Sequence, residues 1–156
     1  MGDCLNELRV ACLVPLYNHE ESLGRAIESV MMQKAPFRYK MIIVDDGSTD
    51  RSLQVAQEYQ GKYPDKIEVY SNGRNMGLLR TTANAYKHLK GYEYFCVLDP
   101  DDWYIYDHKF ADAVAFLDAH PSYTVYLTGV QWKTPEDEAM KYTGGGVCLS
   151  TKIHFS

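Results

Sequence analysis

Short apolar runs alternate with stretches of helical spacing along most of this chain, and that rhythm leaves few folds open. Val10 to Val14 is a continuous apolar run, the pattern of a strand covered on both faces. Met41-Ile42-Ile43-Val44 and Tyr94-Phe95-Cys96-Val97-Leu98 repeat it. Ile67-Glu68-Val69-Tyr70 alternates and reads as a strand nearer an edge, and Tyr123 to Leu127 reads as a further strand. Between them, Glu20 to Gln33 puts Leu23, Ile27, Val30 and Met31 on one helical face. Arg51 to Tyr63 does the same with Leu53, Ala56 and Tyr63, and Ser48 or Thr49 is its candidate cap. Leu78 to Leu89 predicts a helix with Leu79, Ala83, Tyr86 and Leu89 or Lys90 inward, and Asp107 to Ala119 one with Phe110, Val114 and Leu117 inward. Strand followed by helix, over and over, predicts an α/β fold with a mostly parallel central sheet flanked by helices. After Thr128 the rhythm decays. Lys133 to Lys141 is polar, Gly144-Gly145-Gly146 follows, and Val147 to Phe155 is a strand candidate.

Length and charge narrow the function. A chain of 156 residues is the size of one domain. Its net charge of −5 argues against a nucleic-acid partner, which calls for a basic face. It argues equally against a polybasic membrane anchor, and no apolar run approaches the roughly 18 residues of a membrane span. The start, Met1 to Glu7, lacks a secretory pattern, and Asn6 stands where a myristoylation site wants Ser or Thr. Cys4, Cys12, Cys96 and Cys148 form no zinc spacing. The expectation is a reduced, cytoplasmic chain, reaching the inner face of a membrane only through another region or a partner.

In open α/β sheets, ligands bind beyond the carboxyl ends of the strands. The residues after each apolar run are therefore the candidates. They are Pro15-Leu16-Tyr17-Asn18, then Asp45-Asp46-Gly47-Ser48, then Asn72 to Gly77, then Asp99-Pro100-Asp101-Asp102-Trp103. Five carboxylates converge on one rim. Crowded carboxylates disfavour one another's charged form, and hard oxygen ligands suit Mg2+ or Mn2+. A divalent ion is the expected compensation, with substrate phosphates completing its shell. Taken singly, each acidic stretch is also a good turn. Trp103 is expected to anchor its loop, and the histidines have no ligand spacing.

In order, Val-Pro-Leu-Tyr-Asn, Ile-Ile-Val-Asp-Asp-Gly-Ser-Thr-Asp, Asn-x-Gly-Leu and Val-Leu-Asp-Pro-Asp-Asp-Trp resemble the family 2 glycosyltransferases over about residues 9 to 130. The resemblance implies a GT-A fold, a Rossmann-like nucleotide-sugar-binding domain. Residues 1–130 would form the donor-binding core, and 131–156 an incomplete acceptor-side segment. Pro15 and Tyr17 would border the nucleobase. Asp46 would accept a hydrogen bond from it, uracil being the expected base, with Asp45 in support and Glu20 lining the pocket. Asn75 and Gly77 match the loop before the third helix. Ala83 stands before Asn84 where the family often has Arg, and Arg80 is the substitute the resemblance suggests. Asp99 and Asp101 match the D-x-D pair, and with Asp102 they would hold the ribose and a Mg2+ or Mn2+ on the diphosphate.

The resemblance further implies metal-dependent, inverting transfer from a UDP-sugar to a hydroxyl of a saccharide, lipid-linked or protein acceptor, the chemistry of polysaccharide biosynthesis. A general base is not identifiable. Glu136-Asp137 comes too soon after the D-x-D, and the Gln-x-x-Arg-Trp motif of processive members is absent. Two other readings compete. One is a non-catalytic nucleotide-sugar-binding module. The other is a receiver-like, Mg-binding phosphoacceptor domain, disfavoured because the acid pair follows the second strand and Thr128-Gly129 follows the fifth. A Rossmann dehydrogenase would need glycines after the first strand, where Pro15 to Glu20 has none.

Overall fold

The structure, a computed structural model, describes residues 7–128 and 150–152. Its sheet is built around β1 (Leu8–Leu16), with β2 (Arg38–Asp45) parallel on one side and β4 (Tyr94–Val97) parallel on the other. β3 (Ile67–Ser71) pairs in parallel with β2 and forms one edge, as the alternation of its residues predicts. At the other side β6 (Ser150–Lys152) runs antiparallel to β4 and to β5 (Val125–Tyr126), giving the order β3-β2-β1-β4-β6-β5. Of the strand candidate at Val147 to Phe155, the described residues Ser150–Lys152 are a strand of the same sheet.

The apolar runs dictate this layout. In β1 every residue from Val10 to Leu16 is buried, which only a central strand with both faces covered requires. Side chains alternate between the faces. Val10, Cys12, Val14 and Leu16, with Met41 and Ile43, join α1 (Leu23–Met31), α2 (Ser52–Lys62) and α4 (Lys109–Ala119) through Ile27, Ala56 and Val114. Ala11, Leu13, Ile42 and Val44 face the other way, onto Ala85 and Leu89 of α3 (Leu78–Ala85) and the 3-10 turn (Tyr86–Leu89) that continues it.

Handedness explains why one helix stands apart. The chain moves from β1 outward to β2 and β3, then jumps back past β1 to β4. Right-handed crossovers in opposite directions put their helices on opposite faces. The reversal makes the gap between β1 and β4 the switch point of the sheet, the place where such folds bind ligands.

Three local expectations are corrected. Leu89 is inward as expected, but the α3 residues that share its face are Thr81 and Ala85, whereas Leu79, Ala83 and Tyr86 are exposed, Leu79 at 86%. Both sets have helical spacing, and the one containing a polar residue wins because Thr81 finds buried partners. Ser48 and Thr49 do not cap α2. Their hydroxyls turn to the β1 loop, and the Asp50 carboxylate accepts from Ser52 N at 2.9 Å instead. The strand expected over Tyr123 to Leu127 is only Val125–Tyr126.

The layout makes a paired prediction. Ile43→Ala removes a fully buried side chain from β2 and is expected to cost about 2–5 kcal/mol in urea unfolding. Leu79→Ala is expected to stay within about 0.5 kcal/mol of the parent protein. A large loss for Leu79→Ala would show that face to be core.

Candidate functional site at the carboxyl rim

The rim is assembled from the loops after β1, β2, β3 and β4. The first two are stitched together. Asn18, at φ 56, is in the left-handed region, which Asn tolerates better than most residues. From there its backbone N–H donates to Ser48 Oγ at 3.0 Å and its side-chain carbonyl accepts from Thr49 N at 2.8 Å. His19 N donates to Ser52 Oγ at 2.7 Å. Glu20 N donates to Asp50 Oδ2 at 3.2 Å, while Glu20 Oε2 accepts from Arg51 N at 2.7 Å. The carboxylate of Glu20 therefore ties two loops together at the start of α2. Pro15 is buried within β1, and Tyr17, just beyond its end, is 41% exposed.

Asp45 and Asp46 are buried, at 1% and 4% exposure, and both turn toward the β3 loop. Asp45 accepts from Gly47 N at 3.1 Å, Ser48 N at 3.2 Å and Ser71 Oγ at 3.2 Å. Asp46 is tied by its own N–H to Leu16 O at the end of β1, at 2.7 Å. Its Oδ1 accepts from Thr81 Oγ1 at 2.5 Å, Met76 N at 2.9 Å and Asn72 Nδ2 at 3.0 Å, and its Oδ2 from Gly77 N at 2.8 Å. Burial opposes its charge, but these donors prevail and hold the carboxyl below its ordinary range. The charge of this pair is thus offset by N–H and O–H donors of the chain. That leaves Asp99, Asp101 and Asp102, the three acids expected to meet a metal ion, as the ones whose charge the chain does not offset in this way.

The remaining acids lie across β1, in the loop after β4. Asp102 N donates to Asp99 O at 3.0 Å, closing a turn with Pro100 in its second position. Asp99, Asp101 and Asp102 are exposed. Among the described residues no cation pairs with them. Partial desolvation and the like charges of Asp101 and Asp99 raise the Asp102 carboxyl above its ordinary value. Yet among the described residues no three His, Cys, Asp or Glu side chains gather as a metal cage. Two exposed acids in a turn still suit an ion that draws its other ligands from water and phosphate, the habit of Mg2+.

This loop is anchored to α1. Arg25 lies over the Trp103 ring at 4.5 Å, so Trp103 is the anchor its position suggested. Buried Gln33 donates to Tyr106 O at 2.8 Å and accepts from Phe110 N at 3.3 Å. On the opposite side of the rim, Asn75 Oδ1 accepts from Gly77 N at 3.0 Å, and Arg80 is exposed on α3. Glu136 and Asp137 lie outside the described residues.

Comparison with known proteins decides the family. Residues 11–151 match the family model described as glycosyl transferase family 2. The chain belongs to that family. It is 32% identical over 122 residues to the putative glycosyltransferase EpsE of Bacillus subtilis, covering 78% of this chain and 43% of that protein. It is 30% identical over 146 residues to the poly(ribitol-phosphate) beta-N-acetylglucosaminyltransferase TarS of Staphylococcus aureus, covering 91% of this chain and 25% of that protein. The structure superposes on S. aureus TarS residues 1–349 in complex with UDP with a TM-score of 0.63 at 30% identity, covering 72% of this chain and 33% of that one. It shares the fold of a mannosyltransferase from Pyrobaculum calidifontis in complex with GDP-Man and Mn2+, with a TM-score of 0.68 at 22% identity over 75% of this chain and 34% of that one. The fold is thus the GT-A domain of nucleotide-sugar enzymes. The chain spans less than half the length of these relatives. Among the described residues no helix is long and apolar enough to cross a membrane.

Of the residues that orient the rim, sequence reasoning placed Asn18 and Asn72 among the strand-end candidates without a role and passed over Ser71 and Thr81. The signal for Ser71 and Thr81 was available only as polar residues inside a strand and a helix.

Gly47 yields the sharpest local prediction. It sits at φ +73, and a Cβ there would lie 2.5 Å from Arg74 C and 2.7 Å from Asn75 N. Gly47→Ala must push the β3 loop away. We expect a loss of about 2–4 kcal/mol, from the left-handed conformation and the overpacking together, read as a lower urea midpoint. Parent-like stability would show that the loop yields freely.

Proposed function

We propose that this chain forms the donor-binding core of an inverting glycosyltransferase that takes its sugar from a UDP-sugar. The observation that carries the reading is the pairing, across the β1–β4 switch point, of an exposed Tyr17 and buried acceptor Asp46 with three acids that no described cation neutralises. The family match and the UDP-bound TarS structure support it.

In this reading Tyr17 stacks on the base, and Pro15 closes the wall beside it. Asp46, ionised, accepts from a base N–H, which favours uracil over a ring that offers only an acceptor there. Asp45 holds the turn at Gly47 and Ser48. Asn75 and Gly77 shape the loop over the nucleoside, and Arg80 is the nearest candidate cation for a diphosphate. Asp99 and Asp101 hold the ribose and, with Asp102, a Mg2+ or Mn2+. That ion, when bound, supplies Lewis-acid stabilisation of the departing diphosphate. The chain's own contribution is positioning: a fixed donor exposes one face of the anomeric carbon to an acceptor hydroxyl, which gives inversion. The acceptor is a saccharide, lipid-linked or protein hydroxyl, and the residues 131–156 belong to its side of the molecule. No membrane span is needed for this work, and a cytoplasmic location suits a nucleotide-sugar donor.

Calorimetric titration tests the reading. UDP in the presence of Mn2+ is expected to bind, with CDP weaker by about 10-fold or more. Asp101→Asn should remove most of the Mn2+-dependent gain while leaving thermal stability near that of the parent. Silence toward UDP with Mn2+ present, or binding indifferent to Mn2+, would defeat the respective part of the proposal.

A further inference from the structure

Thr81 is completely buried, and its hydroxyl stands between two partners. It donates to Asp46 Oδ1 at 2.5 Å and accepts from Asn72 Nδ2 at 2.9 Å. Asn72 Nδ2 also donates to the same carboxylate oxygen, at 3.0 Å. Three groups from β2, the β3 loop and α3 thus close a triangle in which each donor has an acceptor. Met76 N adds a further bond to Oδ1 at 2.9 Å. That oxygen is saturated, because a carboxylate oxygen offers about two lone-pair sites. Oδ2 has only Gly77 N, at 2.8 Å. The spare acceptor capacity of Asp46 is therefore on Oδ2, and the bonds on Oδ1 fix the plane of the carboxylate.

We propose that Thr81 is a positioning residue for base recognition: by holding Asp46 Oδ1 together with Asn72, it leaves Oδ2 fixed to accept one N–H from the donor's base. The inference rests on the reading of Asp46 as the base acceptor and adds how its orientation is set. An ionised carboxylate only accepts, so the base that fits carries an N–H on its pairing edge. A pyrimidine with that hydrogen replaced or absent loses the contact. A fixed acceptor rejects such analogues more strongly than a mobile one, which can rotate away from the mismatch.

The experiment compares UDP with its N3-methyl analogue, both with Mn2+, by calorimetry. The parent protein is expected to prefer UDP by about 10- to 100-fold, the range for a hydrogen bond to a charged group. Thr81→Val keeps the shape and removes the hydroxyl. It should weaken UDP about 10-fold or more, leave the analogue little changed and so collapse the ratio, whereas Thr81→Ser should restore it. A merely structural Thr81 would weaken both ligands alike. A parent-like ratio in Thr81→Val overturns the inference. If Thr81→Val does not fold, Asn72→Ala carries the test, with a reduced ratio expected and an unchanged one overturning it. Asp46→Asn separates the two levels. Undiminished preference for UDP in that variant overturns the reading of Asp46 itself, whereas loss there with retention in Thr81→Val sinks only the role of Thr81.

Discussion

The carboxylate of Asp46 is the point on which the rim is built. It is nearly inaccessible to water and still ionised, and a charge in that position is tolerated only if donors replace its hydration. They come from Asn72, Met76, Gly77 and Thr81, and the Asp46 amide reaches back to Leu16 O. One side chain thereby sets the separation of β1 from the β3 loop and the starting point of α3. Removing any single donor leaves the charge less well solvated. Removing the carboxylate leaves a cluster of donors facing one another.

Charge is managed differently on the two sides of β1. Toward β3 the acids are buried and neutralised by N–H and O–H groups. Toward β4 they are exposed, unpaired by any described cation and mutually repulsive, and Asp102 feels both neighbours. The first arrangement builds structure. The second stores unfavourable electrostatics that a cationic or metal-bridged ligand relieves. That division is sharper than the sequence pattern of Asp-Asp and Asp-x-Asp-Asp suggests.

The strands were legible because burial on both faces demands unbroken apolar runs, as Val10 to Val14 shows. Their order was not. Nothing in the apolar runs says that the chain returns past β1 after β3, and handedness supplies the side for α3 only once that is known. The face of α3 was misread because Leu79, Ala83 and Tyr86 have the right period and the right polarity. Thr81 was hidden because a buried hydroxyl looks like a surface residue until its partners are found. The cap of α2 shares this difficulty. Short polar side chains in adjacent loops choose among several partners, and the choice depends on a register set elsewhere. The motifs located the rim nonetheless, since they sit at strand ends whatever their side chains do next.

The stitching of the β1 loop to the β2 loop has a consequence for the energetics of capture. Asn18, His19 and Glu20 are already held by Ser48, Thr49, Ser52, Asp50 and the Arg51 amide before anything binds. Each residue left free would lose roughly 1–2 kcal/mol of backbone entropy on being ordered around a guest. That loss is met during folding here, so the wall beside Tyr17 enters an encounter rigid. Association at such a wall is limited by collision and desolvation rather than by a search for the loop's shape.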